Sequence, residues 1–172
     1  MKRIILLMLL VCSCGYGGYA QTGDFCSAVS AILHDAPLKF RNIRGKVTDA
    51  NANATQWECG ITVPGTIKSR FIASMGMFYE GAFLQSNSKD DLKAMYDECK
   101  ARLDSCLIPE GYTLSFNDNF YTGLADYKKL VYMSDQVVDE RQPENAPPHL
   151  TLEVAYSKEM GLYTIVMYVF EH

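Results

Sequence analysis

The stretch SKDDLKAMYDECKARLDSCL, residues 88–107, decides how the rest of the chain is arranged. Leu92, Met95, Cys99, Leu103 and Cys106 recur at helical spacing and make one apolar stripe, while Asp90, Lys93, Asp97, Lys100 and Asp104 lie away from it. Ser88 is a good N-cap, and Asp91 three residues on gives an acidic version of the capping box. Pro109 and Gly111 stop the helix. The spacing therefore predicts a long amphipathic helix whose buried side carries two cysteines.

Those cysteines constrain what surrounds the helix. In a continuous helix the Cα atoms of Cys99 and Cys106 stand ~10.5 Å apart, and a disulfide needs ~7 Å or less. Each is expected to pair outward, with Cys26 or Cys59, so the helix would be tied to its neighbours by two bridges. Four cysteines allow three connectivities; the pairing expected is Cys59–Cys106 with Cys26–Cys99. Beyond the first twenty residues there is no Cys-x-x-Cys and no zinc-type spacing, which leaves redox and metal chemistry without sequence support.

Upstream, Asp24 caps a first helix reaching about Ala36, with Phe25, Val29, Ile32 and Leu33 on one side and Pro37 blocking its continuation. A short basic strand follows over residues 40–46. Trp57, Cys59, Ile61 and Val63 then alternate with Glu58, Gly60 and Thr62, and Val63-Pro64-Gly65-Thr66 has the residues of a type II turn. Residues 67–84 read as one long return strand, bent or bulged at Gly76 and Gly81. Downstream of the long helix, alternation marks strands around Tyr112–Phe116, Tyr127–Met133 and Leu150–Tyr156. Residues 139–149, with Pro143, Pro147 and Pro148, form a polar loop. Residues 162–170 are apolar on both faces and belong in the middle of a sheet. The expected fold class is α+β: an antiparallel sheet of about six to seven strands with two α-helices packed on one face, arranged as two α-βββ units and stabilised by disulfides.

The N-terminus carries an export signal. Lys2-Arg3 precedes the apolar run of residues 4–11, which is too short to span a bilayer, and small residues follow. Gly18-Tyr19-Ala20 suits cleavage after Ala20, giving a signal peptide over residues 1–20 and a single α+β domain over residues 21–172. Val11-Cys12-Ser13-Cys14 also resembles a bacterial lipobox, which would leave Cys14 as a lipidated N-terminus and the chain as a cell-surface lipoprotein. Membrane contact is expected only in that case; neither apolar stretch is long enough for a transmembrane helix.

The formal charge is −4, and without Lys2 and Arg3 it falls to −6. An acidic chain repels phosphate backbones, so nucleic acid is not an expected partner. Six basic residues gather between Lys39 and Arg70 (Lys39, Arg41, Arg44, Lys46, Lys68 and Arg70), chiefly as solvated strand faces. There is no nucleophile elbow, phosphate-binding glycine loop or His-Glu-x-x-His, and the histidines His34, His149 and His172 are scattered. No catalytic, cofactor or metal residue is assigned. Seven tyrosines between Tyr112 and Tyr168 are the feature suited to recognition, with Tyr127, Tyr132 and Tyr163 as candidate binding-face rings.

Helix-plus-strand units repeated twice in an exported, disulfide-bonded chain are analogous, at the level of fold, to secreted enzyme inhibitors. The expectation is a non-catalytic binding or inhibitor-type protein of the bacterial envelope or exterior, periplasmic or secreted. Its partner would be a protein or envelope component, met by the sheet face away from the helices and by the 139–149 loop. The alternative is a secreted enzyme with a site assembled from dispersed residues, using His34 or His149 as base.

Overall fold

The computed structural model describes residues 24–117, 128–134, 147–157 and 159–171. Residues 1–23, Cys14 among them, lie outside the described set, as do Tyr127, His172 and most of the 139–149 loop. Helix α1 (Phe25–Asp35) starts where Asp24 accepts the Ser27 N–H at 2.8 Å. A 3-10 turn, Ala36–Leu38, leads to β1 (Arg44–Ala50), β2 (Thr55–Cys59), β3 (Lys68–Ala73) and β4 (Met77–Ser86). Helix α2 (Lys89–Leu107) follows, with the Ser88 hydroxyl accepting the Asp91 N–H. The chain then forms β5 (Tyr112–Asn117), β6 (Lys129–Ser134), β7 (His149–Ser157) and β8 (Leu162–Phe170).

All eight strands form one antiparallel sheet in the order β1-β2-β3-β4-β8-β7-β6-β5. Each half is a helix followed by a four-stranded meander, and the halves meet where β4 pairs with β8. The α+β architecture agrees with the sequence reading; the strand count is eight, not six to seven. The additional strand comes from residues 67–84. The chain turns at Ser74, Met75 and Gly76, and Met77 pairs back with Ala73. Apolar alternation runs through this turn without a Pro or an Asn-Gly pair to mark it. Gly76 therefore sits in a hairpin turn, and Gly81 lies inside β4 with the Tyr79 ring folded against it. A Cβ at Gly81 would come within 2.8 Å of the Tyr79 hydroxyl oxygen.

The strand register fixes which side chains share a face. One cross-strand row runs Phe71, Tyr79, Val169, Leu150, Tyr132, Leu114. The first five are fully buried in the core beneath the helices. α2 is anchored to the second half by its own and the sheet's tyrosines: Tyr132 Oη donates to Asp104 at 2.8 Å, and Tyr96 Oη donates to the Lys128 carbonyl at 2.6 Å. It is anchored to the first half by Arg102, whose guanidinium lies 4.0 Å over the Phe25 ring and donates to the Pro64 carbonyl at 3.2 Å. These contacts put the start of α1 beside the C-terminal end of α2.

That placement corrects the expected cysteine pairing. Cys26 bonds Cys106, with Cα atoms 5.2 Å apart, while Cys59 and Cys99 are free thiols. Helical spacing excludes a Cys99–Cys106 bond, but it does not specify how far along α2 the first turn of α1 lies. Neither expected bridge, Cys59–Cys106 or Cys26–Cys99, forms.

The link from α1 to β1 is held from inside. Lys39 and Phe40 adopt positive φ values of 56° and 55°, a conformation costly for side chains of this size. Two things hold it. Phe40 is fully buried, stacked on Phe71 at 4.9 Å, and the buried Asp35 carboxylate accepts both the backbone and the side-chain N–H of Asn42.

Candidate functional site

The helices cover one face of the sheet, so the opposite face is the place to look for function. Its side chains follow from the same register. One row runs Arg70, Glu80, Tyr168, Thr151, and a neighbouring row runs Ile72, Phe78, Phe170, His149. Among the described residues no helix lies over this face.

Arg70 is the best-held polar group there. Its guanidinium meets Glu80 Oε1 at 2.7 Å through Nη2 and 2.9 Å through Nε, and Nη1 donates to Gln56 at 3.0 Å. This fork ties β2, β3 and β4 together. The Tyr168 hydroxyl lies between strands bearing Glu80 and Glu153; burial first, then those carboxylates, push its pKa far above the usual phenol value. The phenol stays protonated through the physiological range and able to donate. A groove of about 440 Å³ opens over these groups, with Lys68, Thr164 and the exposed Ile67 and Met160 along its walls.

The other end of this face is aromatic. Phe78 packs edge-on to Tyr168 at 5.8 Å and lies 5.7 Å from Phe170, and His149 stacks on Phe170 at 4.7 Å. A second hollow, of about 350 Å³, lies against Phe78 and Phe170 beneath the β3–β4 turn. The face thus offers a charged, hydrogen-bonding end and an apolar, ring-lined end.

The residues singled out from sequence fall differently. Tyr132 is fully buried under α2, so it is not a binding-face ring. Tyr163 is half-buried against the core on the helix side, with its ring 4.8 Å from that of Tyr156. Tyr127 lies outside the described residues, as does the 139–149 loop up to Pro147. Phe78, Tyr168 and Phe170, which the sequence reading did not pick out, are the rings on the open face. Their signal was parity: in β8, Tyr168 and Phe170 share a face with Thr164 and Val166, opposite the core set Ile165, Met167 and Val169. The basic cluster of residues 39–70 is also divided. Arg44 lies over the Trp57 ring on the helix side, whereas Arg70 is engaged by Glu80 and Gln56 on the open side.

His34, in the last turn of α1, and His149, on the open face, lie on opposite sides of the sheet. The free thiols are poor nucleophiles: burial pushes both Cys59 and Cys99 up to about 12. Among the described residues no three His, Cys, Asp or Glu side chains are placed to hold a metal ion, and no helix is long and apolar enough to cross a membrane. Comparison with protein-family models, with curated proteins and with solved structures finds no match to this chain.

Proposed function

We propose that the protein is an exported, non-catalytic binding or inhibitor-type module that takes a protein or envelope component on its open sheet face. One observation carries this reading: the face that no described helix covers holds a continuous surface from the Arg70–Glu80–Tyr168 groove to the Phe78–Phe170–His149 rings. Aromatic rings beside a fixed guanidinium form the kind of surface that concentrates binding energy. Export rests on the character of residues 1–20, and the Cys26–Cys106 bond is compatible with an oxidising compartment.

The test is affinity capture by the mature protein from its native envelope, with mass spectrometry of the partners and of the mature N-terminus. Ile67→Glu with Met160→Glu puts charge into exposed groove walls, and Ile108→Glu, at the end of α2, is the control. Capture lost in the groove variant and kept in the control supports the reading. Capture unaffected by either, or lost equally in both, sinks it. An N-terminus at Gln21 fits the soluble form; an acylated Cys14 would make the protein a surface lipoprotein presenting the same face.

A further inference from the structure

The hollow at the aromatic end of the open face contains a charge with an unmet demand. Glu171 follows β8 directly, and its carboxylate turns back under the β3–β4 turn. Oε1 accepts the Met77 N–H at 3.2 Å, while the Glu171 N–H donates to the Met77 carbonyl at 3.3 Å. The first bond holds the side chain at the hollow, and the second extends the β4–β8 pairing by one residue. Oε2 is buried and has no hydrogen-bond partner, and no Lys or Arg among the described residues forms an ion pair with Glu171.

A buried carboxylate oxygen without a donor is costly, and the cost is relieved most by a charge-assisted hydrogen bond from a cation. The surroundings specify what kind. The exposed Met75 thioether and the Phe78 and Phe170 rings line the hollow, with the Met77 backbone at its floor, and Gly76 leaves its rim without a side chain. A small hydrated metal ion would find one carboxylate and no other oxygen side chain except Ser74. An alkylammonium matches both parts: its N–H groups pair with the Glu171 carboxylate, and its methylene stem lies on the rings and the Met75 thioether. Met75 is fully exposed at the mouth, so a side chain can enter from solvent.

The geometry points to a binding site for a primary alkylammonium, the side chain of a lysine on the partner, anchored by Glu171 in the Met75–Phe78–Phe170 hollow. It rests on the reading of the open face as the binding face, and it names the chemistry at one end of it. The net negative charge of the chain favours such a partner.

The experiment titrates the mature protein with n-butylammonium, and separately with n-butanol, while the methyl resonance of Met75 is followed by NMR. Saturable shifts with butylammonium, at least about tenfold weaker with butanol, are expected, as is a similar loss in Glu171→Gln. Equal response to the amine and the alcohol, or no saturable response, overturns the site whether or not the variant folds. Undiminished amine binding by folded Glu171→Gln does the same. Partner capture that depends on Ile67 and Met160 while butylammonium fails to bind would remove only this site. Butylammonium binding with capture indifferent to the groove would remove only the earlier reading.

Discussion

The two faces of the sheet are built from the same strands and almost the same residue types, yet their rings are buried to different degrees. On the helix face Phe71, Tyr79 and Tyr132 are fully buried, and the tyrosine hydroxyl of Tyr132 is spent on a bond to Asp104. On the open face Phe78, Tyr168 and Phe170 are half-buried, lying on neighbouring strands and against one another. Apolar character does not distinguish a core ring from a ring on the open face. What distinguishes them, among the described residues, is whether a helix of the same chain covers them.

The sharpest way to break this contrast is truncation on each face. Phe83→Ala removes a ring that packs against Phe25 under α1 and should cost about 3–5 kcal/mol in urea unfolding. Phe170→Ala, half-buried on the open face, should cost less than half as much. Equal losses would mean that both faces are core.

Next in size is the covalent tie between the helices. Replacing Cys26 and Cys106 together by Ser releases a link across a sequence separation of 80 and should lower stability by about 2–4 kcal/mol. Mass mapping of the mature wild type should find this one bond, with Cys59 and Cys99 alkylated only after denaturation. A Cys59–Cys99 bond would show that the helix face is locked at two points instead of one.

Tyr132→Phe should cost about 1 kcal/mol, because Asp104 loses one donor but keeps Lys100. The same change at Tyr168 should leave stability nearly unaltered and weaken partner capture. A further expected effect, confined to alkaline solution, is on pH dependence. The folded thiols of Cys59 and Cys99 are raised from 9.0 to about 12, so the unfolded chain releases these protons first. Their contribution is fully present below pH 9 and is lost as pH rises towards 12. Cys59→Ala should flatten this alkaline decline in thermal unfolding, and an unchanged slope would show that the thiol is not buried on the helix side.

Much of the fold was legible because local rules left marks in single segments. Asp24 and Ser88 cap the two helices as their side-chain chemistry predicts. At the expected type II turn, Gly65 takes a φ of 98° and the Thr66 N–H closes on the Val63 carbonyl at 3.1 Å. β8, apolar on both sides, is flanked by β4 and β7. The hairpin at Ser74–Gly76 was not legible, since its turn interrupts neither the alternation nor the composition.

The candidate site was less legible than the fold. Tyr132 and Tyr168 look alike in an alternating strand. Parity separates two faces without naming the one that the helices will cover. Glu171 gave no signal at all, because its significance lies in a hydrogen bond to Met77, far away in the chain.

By itself the sequence determined the two capped helices, the alternating strands, their division into two similar halves and the limit that keeps Cys99 from Cys106. These depend on the period of a helix or a strand, which is a property of neighbouring residues. Only the tertiary structure decided that Cys26 meets Cys106, that Tyr132 goes inside while Tyr168 stays out, and that the Glu171 carboxylate comes to rest beside Met77. Each depends on how one element lies across another, and that is set by the packing of the whole sheet beneath its helices.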